Sequence, residues 1–308
     1  MTDFKDLLNG KEYLINDRLL SCDYNKVKKI LEMEEWNDKR FTQMLGPTIW
    51  YRSYDEIKKV LNMEEWNNPK YFSLLTSNIW HSNYENIKSI LALEEWQDER
   101  FKKLLTSSVW TTTSQNIKET LNLPHFNNPK YLNVLGPSIF LSTASYVDSI
   151  CKMEEWDDEK FMRLLSSNIW KCPYEDIKKT LSLKEWEDPK FKKLLTSNIW
   201  KNRYDTIVIK LNLPYWNKEE YTHLLVPSLF TLPINNIIYG IELFEENGIG
   251  EYVTNKALRH NLENLKKIFA YMKEHNFELL LSTKETKKLV LNPIFSMPNT
   301  ELKKERVL

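Results

Sequence analysis

Glycine is scarce in this sequence, with 6 in 308 residues. Phosphate-cradling loops and most tight β-turns draw on glycine, so neither is expected to be frequent. Cysteine is scarcer still. Cys22, Cys151 and Cys172 are odd in number, widely spaced and outside any CxxC pair. That pattern excludes a disulfide framework and a structural zinc site, and it predicts a reduced protein of the cytoplasm. No excess of either charge exists, because Lys plus Arg is 43 and Asp plus Glu is 43. Bulk charge therefore does not demand a polyanionic partner, although balanced charge can still be segregated by face. Residues 241–308 carry 11 basic and 10 acidic residues, so no basic domain hides behind the sum. No apolar run reaches the roughly 18 residues of a membrane span. The opening Met-Thr-Asp-Phe-Lys-Asp lacks the basic-then-apolar order of a signal peptide, so no membrane partner is expected.

What the chain has instead is a repeat. The stretch from Tyr54 to Trp80 recurs every 30 residues without slippage, from near the N-terminus to about residue 240. One aromatic column runs Trp36, Trp66, Trp96, Phe126, Trp156, Trp186, Trp216. A second runs Trp50, Trp80, Trp110, Phe140, Trp170, Trp200, Phe230, and the two contain all 11 tryptophans. A third is Phe41, Tyr71, Phe101, Tyr131, Phe161, Phe191, Tyr221. Aliphatic residues such as Ile57, Leu61, Met63, Leu74, Leu75 and Ile79 fill the space between.

Each unit reads as two short helices. Tyr54, Ile57 and Leu61 fall on one helical face, with Ser53 and Glu56 placed as a capping box ahead of a helix that ends near Met63. Asn68-Pro69, Asn128-Pro129 and Asp188-Pro189 open the next helix, because Asn or Asp supplies an N-cap oxygen and proline suits the first helical position. Thr76-Ser77-Asn78 links to Ile79-Trp80, read as a single 3₁₀ turn. Helices this short are marginal alone, so neighbouring units must cover one another's aromatic rings. The expected fold is an all-α solenoid of about seven to eight 30-residue helical-hairpin repeats with divergent caps. Residues 1–30 read as an N-terminal cap or worn repeat, 31–240 as seven repeats, and 241–308 as a C-terminal helical cap and tail. Phe4 to Leu20 depart from the pattern, whereas Tyr24, Val27 and Leu31 follow it. Beyond 240, Asn236 to Asn247 reads as one helix and Asn261 caps another, with Leu262, Leu265, Phe269 and Met272 on one face. Glu278–Ser282 and Leu289–Phe295 are apolar, and the tail from Pro298 is charged. Two readings of the tryptophan ladders stay open: a packed core, or an exposed stacking platform.

The run Leu-Leu-Thr-Ser-Asn-Ile-Trp, followed by Tyr-x-x-Ile-x-x-x-Leu and a second helix, resembles the mitochondrial transcription termination factor repeat. Ile241-Glu-Leu-Phe-Glu-Glu-Asn-Gly-Ile249 is similar to that family's helix running into a glycine turn. The resemblance implies a right-handed α-solenoid that binds nucleic acid on a concave basic face. This chain departs from it in its neutral charge and its many tryptophans. TAL-effector repeats are a weaker likeness. In them a variable loop pair reads one base per repeat. The pairs following the second aromatic column here, Tyr51-Arg52, His81-Ser82, Thr111-Thr112, Leu141-Ser142, Lys171-Cys172, Lys201-Asn202 and Thr231-Leu232, vary while their neighbours do not. They are either solvent-exposed links or ligand readers.

A basic column runs Arg40, Lys70, Arg100, Lys130, Lys160, Lys190 and breaks at Glu220. A patchier one is Lys28, Lys58, Lys88, Lys118, Lys178, and acidic pairs recur at Glu34-Glu35, Glu64-Glu65, Glu94-Glu95 and Glu154-Glu155. These stripes either face each other as ion pairs or leave the basic one free to track phosphates. His81, His125, His223, His260 and His275 are scattered, with no metal-ligand spacing, and no nucleotide-binding, nucleophile-elbow or zinc-protease motif occurs. No enzyme activity, cofactor or metal is expected. The expected partner is nucleic acid, DNA or RNA, held by a monomer. Arg40, Lys70, Arg100, Lys130, Lys160 and Lys190 are the candidate phosphate contacts, and Arg52, His81, Lys171 and Lys201 the candidate readers. The alternative is a scaffold or inhibitor that binds a partner protein.

Overall fold

The computed structural model describes residues 7–274. Phe4, His275, the apolar stretches at 278–282 and 289–295 and the tail from Pro298 lie outside the described residues. Every regular element within them is helical, with no strand among the described residues. None of these helices is long and apolar enough to cross a membrane.

The 30-residue recurrence in sequence is matched by a recurrence of elements. Each repeat contributes one α-helix of 8 residues, such as Tyr54–Leu61 and Tyr84–Leu91. Ser53 Oγ accepts from the Glu56 N–H at 3.2 Å, which satisfies one donor of the first turn. The reciprocal half of the capping box is absent. Glu56 Oε1 instead accepts from the Tyr84 N–H of the next repeat at 3.1 Å. The chain then makes three 3₁₀ segments, Glu64–Asn67, Pro69–Leu74 and Ser77–His81. The expected second helix is thus a 3₁₀ segment in most repeats and a single α-turn, Glu99–Lys102, in one. Its carbonyls explain why it does not continue. Leu74 O accepts from the Thr76 N–H at 2.8 Å and from the Trp110 indole at 2.9 Å, so it is unavailable to a lengthening helix.

Ten of the 11 tryptophans are buried, and Trp36 is half-buried. The core reading of the ladders therefore holds. Each indole also has a polar partner, as a buried N–H requires. First-column indoles donate to the carbonyl six residues earlier, as Trp66 does to Val60 at 2.6 Å and Trp186 to Thr180 at 2.6 Å. Second-column indoles donate 36 residues back, Trp80 to Met44 at 2.6 Å and Trp200 to Leu164 at 2.7 Å. One ladder makes bonds local in sequence and the other makes bonds that span more than a full repeat.

The chain divides into two compact units, Met1–Asp157 with Leu165–Lys171, and Asp158–Leu164 with Cys172–Leu308. In the first, the 3₁₀ segments Pro47–Tyr51, Ser77–His81, Ser107–Thr111, Pro137–Leu141 and Ser167–Lys171 stack in order. The helices Tyr24–Leu31, Tyr54–Leu61, Tyr84–Leu91, Ser114–Leu121 and Ala144–Cys151 stack likewise. In the second, Ser197–Lys201 packs on Pro227–Thr231, and Tyr174–Leu181 on Tyr204–Leu211. There the last repeat's helix runs on as Ile234–Glu246 and ends at Gly248, whose φ of 70° a side chain would resist. Helix Leu262–Glu274 packs against it. Gly240 permits the close approach of this terminal segment, since a Cβ there would stand 2.4 Å from Leu258 Cδ2.

Candidate functional site

Let each repeat be numbered from residues 31, 61, 91 and so on, so that Arg40, Lys70, Arg100, Lys130, Lys160 and Lys190 share position 10. All six are half-buried. Each head group lies 4.9 to 5.5 Å from the ring of the residue that follows it. Five of them also reach the next repeat. Arg40 donates to Trp66 O at 2.8 Å, Lys70 to Trp96 O at 3.4 Å and Arg100 to Phe126 O at 2.7 Å. Lys130 meets Asp157 at 2.9 Å and Lys160 meets Glu187 at 2.8 Å. Lys190 pairs with Asp188 of its own repeat at 3.3 Å. This basic column therefore spends its charge on packing repeats together. The guanidinium of Arg40 holds the Asp38 carboxyl below the usual carboxylate range, and Arg100 does the same to Asp98.

The patchier basic column also meets acid. Lys58 stands 3.6 Å from Glu35, whose charge raises the lysine's pKa. One repeat inverts the pair, with His125 in the glutamate's position and Asp148 in the lysine's, 2.9 Å apart. The Asp148 carboxyl is held low by Lys152 and then by His125. His223 is bonded to Val253 O at 2.7 Å. Burial pushes the Cys151 thiol up to about 12 and Cys172 up to about 11, so neither offers a thiolate at neutral pH. Among the described residues no three His, Cys, Asp or Glu side chains gather as metal ligands would.

The variable pairs separate into two roles. Position 22 reaches the backbone of the following repeat: Arg52 donates to Trp80 O and His81 O, each at 2.9 Å, Ser82 to Trp110 O at 2.9 Å, and Asn202 to Phe230 O at 2.7 Å. Position 21 faces solvent throughout, including Tyr51, His81, Lys171 and Lys201. Of the four candidate readers, Arg52 is tied into the fold and the other three are exposed.

The neutral net charge conceals a segregation by position. Positions 11–24 of all seven repeats, the blocks 41–54 through 221–234, contain no Asp or Glu. They carry nine basic residues: Arg52, Lys102, Lys103, Arg163, Lys171, Lys192, Lys193, Lys201 and Arg203. All but Arg52 are exposed. The acid of residues 31–240 lies wholly in the α-helices and in the segments leading from them into position 10. Lys102 ends the α-turn Glu99–Lys102, Arg163, Lys192 and Lys193 lie near the ends of 3₁₀ segments, and Lys171 and Lys201 close the segments Ser167–Lys171 and Ser197–Lys201. Lys102 does pair with Glu99, which belongs to position 9. Arg163, Lys192 and Lys193 make no ion pair among the described residues. Exposed Phe72 and Met162 interleave with these cations at position 12. Sorting acidic residues by repeat position would have found this surface from sequence. Summing charge over the chain erased it.

No family model, curated protein or solved structure matches this chain.

Proposed function

We propose that the chain is a cytoplasmic, monomeric, non-catalytic right-handed α-solenoid of about seven to eight units that binds nucleic acid, DNA or RNA, along successive repeats. The observation that carries this reading is the absence of carboxylates from positions 11–24, where eight exposed cations stand. A polyanion is drawn to exposed cations, and these stretches bring no carboxylate of their own. In the first unit Lys171, and in the second Arg163, Lys192, Lys193 and Lys201, supply phosphate contacts, while the position-10 cations buttress the repeats. The likeness of the repeat to mitochondrial transcription termination factors supports the same partner class, and the TAL-effector likeness supports a register of one module after another.

A protein partner is the second reading, and a separate observation favours it. Where earlier helices carry Lys58-Lys59, Lys118-Glu119 or Lys178-Lys179, the last two carry Val208-Ile209 and Ile238-Tyr239. Ile209 is 47% exposed and Tyr239 46%. Exposed apolar residues on an otherwise charged face suit a protein contact.

Fluorescence anisotropy with labelled RNA and DNA at low salt tests the first reading. Binding that weakens steeply as salt rises is the expected result. Absence of binding at low salt overturns it and leaves the protein partner.

A further inference from the structure

The ring residues of the repeat columns are buried or half-buried, yet two rings at position 21 are not. Tyr51 is 53% exposed and His81 is exposed in the adjacent repeat. Their ring centroids lie 6.5 Å apart with planes inclined at 33°. The exposed guanidinium of Arg18 lies 5.5 Å from the Tyr51 centroid on the N-terminal side. The fold itself fixes this row. Tyr51 ends the segment Pro47–Tyr51 and His81 ends Ser77–His81, and the two segments stack. Arg52 clamps the backbone beneath by donating to both Trp80 O and His81 O. The result is an exposed pair of polar-edged rings, tilted to each other and joined to a cation, in a stretch of the repeat that has no carboxylate of its own.

We infer that Arg18, Tyr51 and His81 form a stacking platform for unpaired bases, so that the ligand class is single-stranded rather than duplex nucleic acid. The inference rests on the nucleic-acid reading above and narrows it. A duplex hides the faces of its bases in its own stack and presents phosphates outward. A single strand offers each face to a ring, and stacking on Tyr, His or an arginine plane is indifferent to base identity. Lys102, Lys103 and Lys171 of the same unit then hold the strand by its backbone.

The test is a competition between a labelled mixed-sequence oligonucleotide and the same oligonucleotide annealed to its complement, at one salt concentration, on the full chain. The single strand is expected to bind at least about ten-fold more tightly. Tyr51→Ala and His81→Ala should each weaken it about ten-fold, the scale of one lost base stack, and leave duplex binding unchanged. Tyr51→Phe should restore wild-type affinity, because the ring and not the hydroxyl does the stacking. Both positions are solvent-exposed, so circular dichroism of the alanine variants should match the wild type. Equal affinity for the two probes, or alanine variants that bind the single strand normally, overturns the platform while leaving nucleic-acid binding in place. Failure of both probes to bind at low salt instead overturns the parent reading.

Discussion

The Trp110 indole N–H donates to the carbonyl of Leu74 at 2.9 Å, across 36 residues of sequence. Both groups are buried, and the same bond recurs at Trp50, Trp80, Trp170 and Trp200. It joins one repeat's second-column ring to the last turn of the previous repeat's 3₁₀ segment. Phenylalanine already stands in this column at 140 and 230, so the ring alone is compatible with the packing. Trp110→Phe should thus fold normally but lose about 0.5–1.5 kcal/mol, the net worth of one hydrogen bond, because Leu74 O keeps the Thr76 N–H. Trp110→Ala should lose about 3–5 kcal/mol through the cavity it leaves. Urea denaturation followed by circular dichroism measures both. An undiminished midpoint for Trp110→Phe would mean that the bond contributes nothing.

Acid should unfold the chain through a defined set of carboxylates. Asp38 and Asp98 are held low by Arg40 and Arg100, Asp158 and Asp188 by the backbone N–H groups of Lys160 and Lys190, and Asp148 by Lys152 and His125. A carboxyl whose pKa falls on folding stabilises the native state above its ordinary value of about 4, and that contribution disappears as pH drops through the folded value. Stability should be flat near neutrality and fall below about pH 4. Asp98→Asn copies the Asn68 and Asn128 caps, keeps the bond from the Arg100 N–H, and should flatten the acid limb. Denaturation midpoints across pH for the two proteins check this.

Lys210 sits where other repeats place Val60, Ile90 or Ile150, and it is 1% exposed. Its ammonium donates to Asn202 Oδ1 at 2.9 Å and Leu229 O at 3.2 Å, with no carboxylate partner among the described residues. Burial lowers its pKa to about 8. Between that value and the ordinary lysine value of about 10.4, the unfolded chain holds more protons than the folded one, so this residue makes stability rise with pH across that window. The rise should be about 2–3 kcal/mol and absent from Lys210→Met. Wild-type and variant urea midpoints between neutral and alkaline pH measure it, and parallel curves would contradict it.

The fold was legible wherever one residue type served one purpose in every unit. Tryptophans at fixed 30-residue spacing point to a shared core, with an exposed stacking platform as the alternative that their burial removes, and Ser53, Asn68 and Asp188 mark their helix starts. What stayed hidden depends on pairing between units. Arg40 has a local partner in Asp38, but its tie to the next repeat is hidden in sequence because Trp66 O and Asn67 lie 26 and 27 residues away. The extent of the second helix is legible from Asn68-Pro69 and the Thr76-Ser77-Asn78 link, but its 3₁₀ character is not. The candidate surface was visible in the letters but masked by a net charge of zero. The approach of Tyr51 to His81 is not legible in sequence, where each belongs to a merely variable pair.

Salt dependence in two triple variants separates the position-10 column from the carboxylate-free surface. Arg163→Gln/Lys192→Gln/Lys193→Gln should keep its urea midpoint and bind nucleic acid with a log affinity–log salt slope shallower by about 2–3. Lys130→Gln/Lys160→Gln/Lys190→Gln should unfold at lower urea and keep the wild-type slope while folded. The reverse result, with the slope lost in the second variant and unchanged in the first, would place the phosphates on position 10 and contradict the surface assigned to positions 11–24.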